Sequence, residues 1–278
     1  MSRKVIEIVG GVARHPLYRM REPIDFVLCE GEQLAIVGAN GSGKTMLVNT
    51  LIGRYPLLMN EVRYDFGGAN ARMAYENIHY IAFRDSYGDY DPHYYYQQRW
   101  NSQDVEQSPT VSDALTMTEG HEELLCEFAI DVLMDKQLVM LSSGELRRLQ
   151  IVKALMLQPR VLIMDNPFIG LDAPTRDALK ELLSTLTKET QLTIILVLSK
   201  YDDIPEFITH VLPVEGLELK AKQTRAEFAE TVAKPSTSLP THLAEWIEQL
   251  PAKDISSIPF YPQKGGEILH LHDVCIKY

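Results

Sequence analysis

Eight consecutive residues of this chain have the types and spacing of a phosphate-binding loop. Residues 38–45 read Gly-Ala-Asn-Gly-Ser-Gly-Lys-Thr and match the pattern G-x-x-x-x-G-K-[ST] at every fixed position. The glycines allow a tight turn whose successive N–H groups point at phosphate oxygens. Lys44 can reach the β- and γ-phosphates, and the Thr45 hydroxyl can join the shell of a Mg²⁺ ion. The alternative interpretation is an ordinary glycine turn.

The segments on either side of this loop provide the context that the motif requires. An apolar strand pattern, 34–37, leads into the loop, and a helical pattern, 46–52, follows it. The N-terminus of that helix adds a positive dipole end beside the phosphates. We therefore predict that the chain binds ATP with Mg²⁺. The loop residues predicted to bind the nucleotide are Gly38, Ala39, Asn40, Gly41, Ser42, Gly43, Lys44 and Thr45.

Three more motifs follow in the second half of the chain. The apolar run 161–164 ends in Asp165, which is typical of a Walker B strand whose carboxylate holds the Mg²⁺ shell. Asp165 and Thr45 are therefore the predicted Mg²⁺ ligands. Gly170-Leu171-Asp172 comes shortly after. Ahead of both, and directly before a helical pattern, stands the sequence Leu141, Ser142, Ser143, Gly144 and Glu145.

In this order and at this spacing, the motifs resemble those of the ATP-binding cassette (ABC) family over about residues 4–221. The resemblance implies an α/β P-loop NTPase fold with a mainly parallel core sheet, an antiparallel β subdomain and a helical subdomain that carries the signature 141–145. It also implies that two domains pair head to tail and sandwich two ATPs, each between one phosphate loop and the opposite signature. Asp172 would lie in the D-loop. The adenine would stack on Tyr18 or His15, unless both are ordinary surface-loop residues.

Three positions depart from the family pattern, and all three concern hydrolysis. Asn166 stands where the family has a glutamate as general base, and an amide cannot hold the proton of the attacking water. Ser199 or Lys200 stands in place of the switch histidine, and Phe83 or Arg84 in place of the loop glutamine. A general base contributes about 10²–10⁴-fold to a rate. We therefore predict ATP binding with slow hydrolysis; the alternative is full activity, with Lys200 contacting the γ-phosphate as a point charge.

The elements that must position these motifs alternate in type along the chain. The βαβ rhythm after the phosphate loop favours a mainly parallel sheet with helices on its faces. Residues 84–109 form an aromatic loop, either a surface excursion or a partner contact site. The predicted strands are 4–9, 25–29, 61–66, 78–83, 161–165 and 192–198, with two short ones in 207–221, and the predicted helices are 121–134, 145–157, 174–187 and 225–232, with a further helix start at 110–113.

Composition narrows the class of protein. The chain has 278 residues, 45% of them hydrophobic and 23% charged, which is typical of a globular protein. Its net charge of −11 disfavours nucleic acid as a partner, because phosphate binding needs a basic surface. Three widely spaced cysteines suggest a reducing compartment. No apolar run reaches membrane-spanning length, so we predict a cytoplasmic protein without direct membrane insertion, attached at most peripherally to the inner membrane through a partner.

The C-terminal residues suggest a second domain. We predict an ABC domain over 1–233, a linker with a short amphipathic helix over 234–266, and the opening strand of another ABC domain over 267–278. The alternative for the last segment is an edge strand. Together with the motif Pro167 to Asp172 and the segment 196–207, this organisation resembles the N-terminal half of the ModF-type branch of the family, soluble tandem ABC proteins also labelled photorepair or molybdate-transport proteins.

Two functions from different classes fit these residues. One is an ABC ATPase module of a soluble tandem protein or of a transporter, with a membrane transporter subunit as candidate partner. The other is an interaction module that ATP holds closed without turnover. In both, the main partner is a second ABC domain, either in the same full-length chain or in a homodimer. The balanced charge of 214–266 argues against a ribosome-binding translation factor, and the cysteine spacing argues against a zinc-containing DNA-repair ATPase.

Overall fold

The architecture is that of a computed structural model, which describes residues 3–58, 60–67, 73–83, 109–115 and 120–233. The chain divides into two units, Met1–Thr231 and Val232–Tyr278, and both sheets belong to the first. Arg84, most of the aromatic loop 84–109, the linker 234–266 and the segment 267–278 lie outside the described residues. The predictions for them stay predictions.

The strands of the described residues form two sheets. The central sheet has the order β10-β8-β3-β7-β6-β5, and every pair from β8 to β5 is parallel, as the βαβ rhythm predicted. The strands are β1 (Lys4–Gly11), β2 (Ile24–Cys29), β3 (Leu34–Val37), β4 (Arg63–Tyr64), β5 (Ile78–Ala82), β6 (Val161–Asp165), β7 (Thr193–Leu198), β8 (His210–Glu215), β9 (Glu218–Leu219) and β10 (Gln223–Thr224). Parallel strands place their carboxyl ends at one edge, where the motif residues follow.

The helices cover the sheet and begin close to the predicted positions. No helix among the described residues is long and apolar enough to span a bilayer. Their bounds are α1 (Lys44–Leu51), α2 (Ala74–Asn77), α3 (Val111–Ala114), α4 (Glu122–Glu127), α5 (Ser143–Met156), α6 (Ala173–Glu189) and α7 (Arg225–Ala233). The predicted start at 110–113 is confirmed, because Thr110 caps α3 and forms a capping box with Asp113.

Both faces of the central sheet are buried, which explains why its strands are continuous apolar runs. Alternate residues of β7 belong to two different core clusters. Leu196 packs with α5 and α6 on one face, whereas Ile195 and Val197 pack with α1 and the antiparallel sheet on the other. Each β7 residue is therefore buried, so the strand presents no polar face.

The antiparallel sheet has the order β2-β1-β4 and confirms the predicted β subdomain. Its third strand is shorter than the predicted 61–66: Arg63 and Tyr64 are in register with β1, and the Asp65 N–H adds one bond to the Val5 carbonyl oxygen at 2.9 Å. The Asp65 carboxylate accepts a bond from the Gly67 N–H at 3.1 Å. This local turn competes with further strand pairing and ends β4.

The prediction of one helix over 121–134 is wrong. The helix ends at Glu127, Ala129 adopts a left-handed φ of 49°, and a short 3₁₀ turn follows at Asp131–Leu133. Ile130 N–H donates back to the Leu125 carbonyl oxygen at 2.8 Å, which closes the helix end. The break allows both Phe128 and Ile130 to be fully buried, which helical spacing alone does not reveal.

Candidate nucleotide-binding site

The phosphate loop joins β3 to α1, and two of its glycines, Gly38 and Gly43, occupy positions that disfavour a side chain. A Cβ on Gly38 would lie 2.1 Å from the Val214 carbonyl oxygen. Gly43, directly before α1, has a φ of 110°, which glycine adopts without strain. The Gly38 N–H donates to the Leu198 carbonyl oxygen at 3.2 Å. Contacts with β7 and β8 therefore fix the loop at the carboxyl edge of the sheet.

Lys44 is the buried cation of this loop. The residue is only 6% exposed, and its Nζ donates to the carbonyl oxygens of Gly38 at 2.6 Å and Ala39 at 2.9 Å. Burial lowers the pKa of Lys44, and the nearby charge of Asp165 opposes that shift. An ammonium group held by neutral carbonyls away from water is stabilised strongly by an anion. Lys44 is thus suited to bind phosphate.

Ser42 supports the same assignment. Its hydroxyl lies inside the loop in a residue that is 5% exposed, and within the described parts of the chain it has no hydrogen-bond partner. Buried hydroxyls are normally paired, so an unpaired one needs a reason. A phosphate oxygen cradled by this loop would satisfy it.

A cavity of about 440 Å³ opens beside the loop and joins motifs that are far apart in sequence. Thr45 at the start of α1 and Asp165 at the end of β6 both line it. A hydroxyl and a carboxylate are oxygen ligands of the kind that Mg²⁺ prefers, so the two residues fit the predicted metal. The rest of the lining includes Asn40, Lys44, Phe83, Asn166 and Ile169.

A row of polar side chains crosses the carboxyl edge of the sheet next to this cavity. We call Asn40, Ser199, Asn166, Asp165 and Tyr80 the polar row. Asn40 lies in the loop after β3, Ser199 directly follows β7, Asp165 and Asn166 end and follow β6, and Tyr80 lies in β5; these four strands are adjacent in that order. The parallel registers Val37↔Leu198 and Asp165↔Val197 bring these strand ends level. The row is therefore a product of the strand order.

Hydrogen bonds connect the polar row from end to end. Ser199 Oγ lies 3.0 Å from both Asn166 Oδ1 and Asn40 Oδ1. Asn166 Nδ2 donates to Asp165 Oδ1 at 2.9 Å, and Tyr80 Oη donates to Asp165 Oδ2 at 3.0 Å. Ser199 has one hydroxyl hydrogen, which it can donate to either of these two amide oxygens, one at a time. Asn166 Nδ2 stays on the Asp165 carboxylate in both cases.

The signature residues form the capped start of α5. Ser142 Oγ accepts a bond from the Glu145 N–H at 3.2 Å, and Glu145 Oε2 accepts one from the Ser142 N–H at 2.6 Å, which is a capping box. Partial burial alone would raise the pKa of Glu145, but bonds from Lys136 and Ser142 outweigh it and lower the pKa. Lys136 Nζ contacts both carboxylate oxygens, at 2.9 and 2.8 Å. The N-terminus of α5 is thereby held in place.

The structure does not bring the signature into the lining of the phosphate-loop cavity. Ser142, Gly144 and Glu145 line a different cavity of about 460 Å³, together with residues of α6 such as Thr175. Asp172 is exposed at the start of α6, and its side chain does not cap that helix. Within one chain, the signature and the phosphate loop therefore line two separate cavities.

Tyr18 lies at the surface as one member of an aromatic stack. Its ring is 4.0 Å from that of Tyr55 between centroids, with a 4° angle between the planes, and 5.0 Å from the His15 ring. Tyr55 therefore occupies one face of the phenol ring. Met20 Sδ would lie 3.1 Å from a Cβ on Gly43, so this segment approaches the phosphate loop. Adenine stacking on Tyr18 or His15 stays a prediction.

Two residues of the site were not identified from the sequence. From the sequence, Tyr80 was assigned only to a strand. Its contact with Asp165 could have been anticipated only by predicting that β5 pairs with β6 and that the Tyr80 side chain lies on the face of the sheet next to the site. Arg147 of α5 is buried and donates to the carbonyl oxygens of Pro167 and Ile169. Its guanidinium carbon lies 5.4 Å from the centre of the Phe83 ring. Arg147 thus connects the signature helix to the wall of the phosphate-loop cavity.

Comparison with known families identifies this arrangement. The model described as "ABC transporter" matches residues 22–169, which is more than half of the chain. The chain belongs to the ABC transporter family. Solved structures agree with this ABC fold: cbiO1 from Clostridium perfringens, described as part of the ABC transporter complex cbiONQ, superposes with a TM-score of 0.62 at 23% identity, over 87% of this chain and 99% of that one.

Curated relatives of this ABC domain include longer proteins. The ABC transporter ATP-binding protein ModF of Escherichia coli is 31% identical over 215 residues, covering 73% of this chain and 41% of that protein. An uncharacterized ABC transporter ATP-binding protein of Schizosaccharomyces pombe is 28% identical over 241 residues, covering 83% of this chain and 48% of that protein. The chain thus spans less than half the length of both relatives.

Proposed function

We propose that this ABC domain binds Mg-ATP at a head-to-tail interface with a second ABC domain, and that hydrolysis at its own site is weak. One observation carries the second part of the proposal. Asn166 follows the Walker B carboxylate, and both ends of its amide are engaged, Nδ2 with Asp165 and Oδ1 with Ser199. The position next to the expected γ-phosphate therefore offers no proton acceptor near neutral pH.

The binding part of the proposal follows from the loop. The N–H groups of 38–45 and the Lys44 ammonium would surround the β- and γ-phosphates, and Ser42 would gain the partner that it lacks. Thr45 and Asp165 would hold Mg²⁺, which neutralises phosphate charge when bound. Neither role depends on a residue that departs from the family pattern. Binding is therefore expected to be intact.

The partner is a second ABC domain, in the same full-length chain or in a second copy. Ser142, Ser143 and Gly144 would present the N-terminus of α5 to the nucleotide held by the partner domain. Support comes from the separate cavities of signature and phosphate loop, and from ModF-like relatives more than twice as long as the matched region. A membrane transporter subunit is the further partner, which would place this domain in the cytoplasm, peripheral to the inner membrane.

The alternative is an interaction module that ATP keeps closed without any turnover. The same Asn166 contacts favour it, because they engage both amide ends in structural bonds. The two functions differ in a measurable quantity, since the first predicts slow phosphate release that depends on Mg²⁺, and the second predicts none.

The experiment measures ATP binding and phosphate release side by side on the whole chain, with Mg²⁺, over a range of protein concentrations. Binding with little release supports the proposal. Phosphate release that rises faster than protein concentration at rates typical of enzymes, about 1 s⁻¹ or more, would contradict a weakened site and would indicate an active homodimer. Absence of nucleotide binding would contradict both functions.

A further inference from the structure

The Asp165 carboxylate at the end of β6 accepts a side-chain hydrogen bond on each of its two oxygens. Asp165 Oδ1 accepts from the Asn166 amide at 2.9 Å, and Oδ2 accepts from the Tyr80 hydroxyl at 3.0 Å. One bond on each oxygen fixes the rotation of the carboxylate, whereas a single bond leaves it free to swing. Each oxygen keeps a further lone pair for the shell of a metal ion.

Asn166 is suited to this position by its backbone as well as by its side chain. Its φ is 53°, in the left-handed region that asparagine adopts more readily than most residues. Its N–H donates to the Val197 carbonyl oxygen at 2.8 Å, which anchors the residue to β7. A carboxylate in place of the amide would face Asp165 as a like charge and could not donate. The amide therefore has a role of its own beyond the absence of a base.

Ser199 extends the arrangement to the phosphate loop. Its hydroxyl lies within donating distance of both Asn166 Oδ1 and Asn40 Oδ1, and Asn40 lines the phosphate-loop cavity. Hydrogen bonds in such a chain strengthen one another, because each donor is polarised by the next acceptor. The orientation of Asp165 is thus coupled to that of the loop through a single hydroxyl.

We propose that Tyr80 and Asn166 are positioning residues for the Mg²⁺-binding carboxylate of Asp165, and that Ser199 couples them to the phosphate loop. The inference rests on the proposed function, since it concerns how Mg-ATP is held. Its distinctive consequence is that the polar row stabilises the metal-dependent part of nucleotide binding. Binding of ATP without metal depends on Lys44 and the loop N–H groups and needs neither the Tyr80 hydroxyl nor the Asn166 amide.

The test measures ATP affinity by equilibrium fluorescence titration, in EDTA and over a range of Mg²⁺ concentrations, for the whole chain and for Tyr80→Phe. We expect the Mg²⁺ concentration at half-saturation to rise about tenfold, because lost hydrogen bonds to metal ligands typically weaken metal affinity that much. Affinity in EDTA should stay unchanged. Tyr64→Phe is the matched control, since that hydroxyl donates to the Leu51 carbonyl oxygen away from the polar row.

A second pair of variants tests the coupling. Asn166→Gly keeps the left-handed backbone and removes the amide, and should also raise the Mg²⁺ requirement about tenfold. Ser199→Ala should raise it in the parent chain but have no further effect in Asn166→Gly, because the link is then already broken. The electron spin resonance signal of Mn²⁺, measured with a non-hydrolysable nucleotide, should rank the variants by metal affinity in the same order, without any turnover.

The outcomes separate this inference from the proposed function. Equal losses with EDTA and with Mg²⁺ would mean a general structural effect and would overturn the positioning role, as would an unchanged Mg²⁺ requirement in Tyr80→Phe. In either case the proposed function stands if the parent chain binds Mg-ATP. A parent chain that binds no ATP overturns the proposed function itself. If Asn166→Gly does not fold, Tyr80→Phe alone decides.

Discussion

At the scale of single residues, the proposed function divides the site into residues that bind the nucleotide and residues that affect its hydrolysis. Lys44 and Ser42 have the burial and the unmet bonding capacity that a phosphate would satisfy. Asn166 and Ser199, at the predicted positions of the base and the switch histidine, hydrogen-bond to each other. Binding and hydrolysis should therefore respond to different substitutions.

Lys44→Ala should weaken ATP binding about 10- to 100-fold. Hydrogen bonds to charged groups are worth about 1.5–3 kcal/mol, and 1.4 kcal/mol corresponds to a factor of ten. The measurement is a titration with a fluorescent ATP analogue. Lys153→Ala, which removes an exposed lysine from α5, is the control for net charge. Equal affinity in both variants would contradict the phosphate-loop assignment.

Asn166→Glu should raise phosphate release, but by less than the ~10²–10⁴-fold expected of a well-placed base. The glutamate lacks the donor that Asp165 uses, and it adopts the left-handed region less readily than asparagine, at a cost of up to about 1–2 kcal/mol. Asn166→Gln has the same length without a base and is the matched control. If both variants release phosphate equally, the missing base does not limit hydrolysis. The limit then lies in Ser199 or in the second domain.

At the scale of elements, the signature depends on the packing of α5 against α6. A Cβ on Gly144 would lie 2.6 Å from Cγ2 of Thr175, so the glycine sets the distance between the two helices. Arg147 of the same helix contacts the chain that leads into α6. The start of α5 is thus placed by its neighbours as much as by its own capping box.

Gly144→Ala should destabilise the protein by about 1–3 kcal/mol, the usual range for overpacking, even though alanine is the better helix former. Thr175→Ser removes the Cγ2 methyl group that would clash with the new Cβ. The double variant should therefore recover most of the lost free energy of unfolding. Urea unfolding of the parent, both single variants and the double variant measures the coupling. If the losses in free energy of unfolding of the two single variants add up in the double variant, the clash between Gly144→Ala and Thr175 is not the cause.

Tyr64 of β4 makes stability sensitive to alkaline pH. Burial raises the pKa of Tyr64 to about 12 from an ordinary value of 10.0, and its hydroxyl donates to the Leu51 carbonyl oxygen at 2.8 Å. The unfolded chain loses this proton near pH 10 while the folded chain keeps it, so the free energy of unfolding should fall between pH 10 and 12. Tyr64→Phe should show a shallower fall in urea unfolding at pH 9, 10 and 11. Parallel curves would rule out this origin.

At the scale of the whole molecule, the sequence predicted the sheet and the loop better than the contacts between distant strands. Apolar runs and the phosphate-loop pattern are local signals, and the strands of the central sheet follow them closely. The end of α4 was missed because a left-handed alanine gives no local signal. The polar row was missed because Asn40 and Ser199 meet only through the strand order, 159 positions apart.

That row has a consequence for folding. The polar row forms only when four strands from distant parts of the chain lie side by side. A ligand that needs the row therefore binds the folded chain and not partly folded states. ATP with Mg²⁺ at 100 times its dissociation constant should therefore add about 2.7 kcal/mol to the free energy of unfolding. In Lys44→Ala, whose affinity should be 10- to 100-fold lower, the same ATP concentration should add only about 0.4–1.4 kcal/mol, so the melting temperature should respond less to ATP. Bound nucleotide thus stabilises the assembled sheet relative to the unfolded chain.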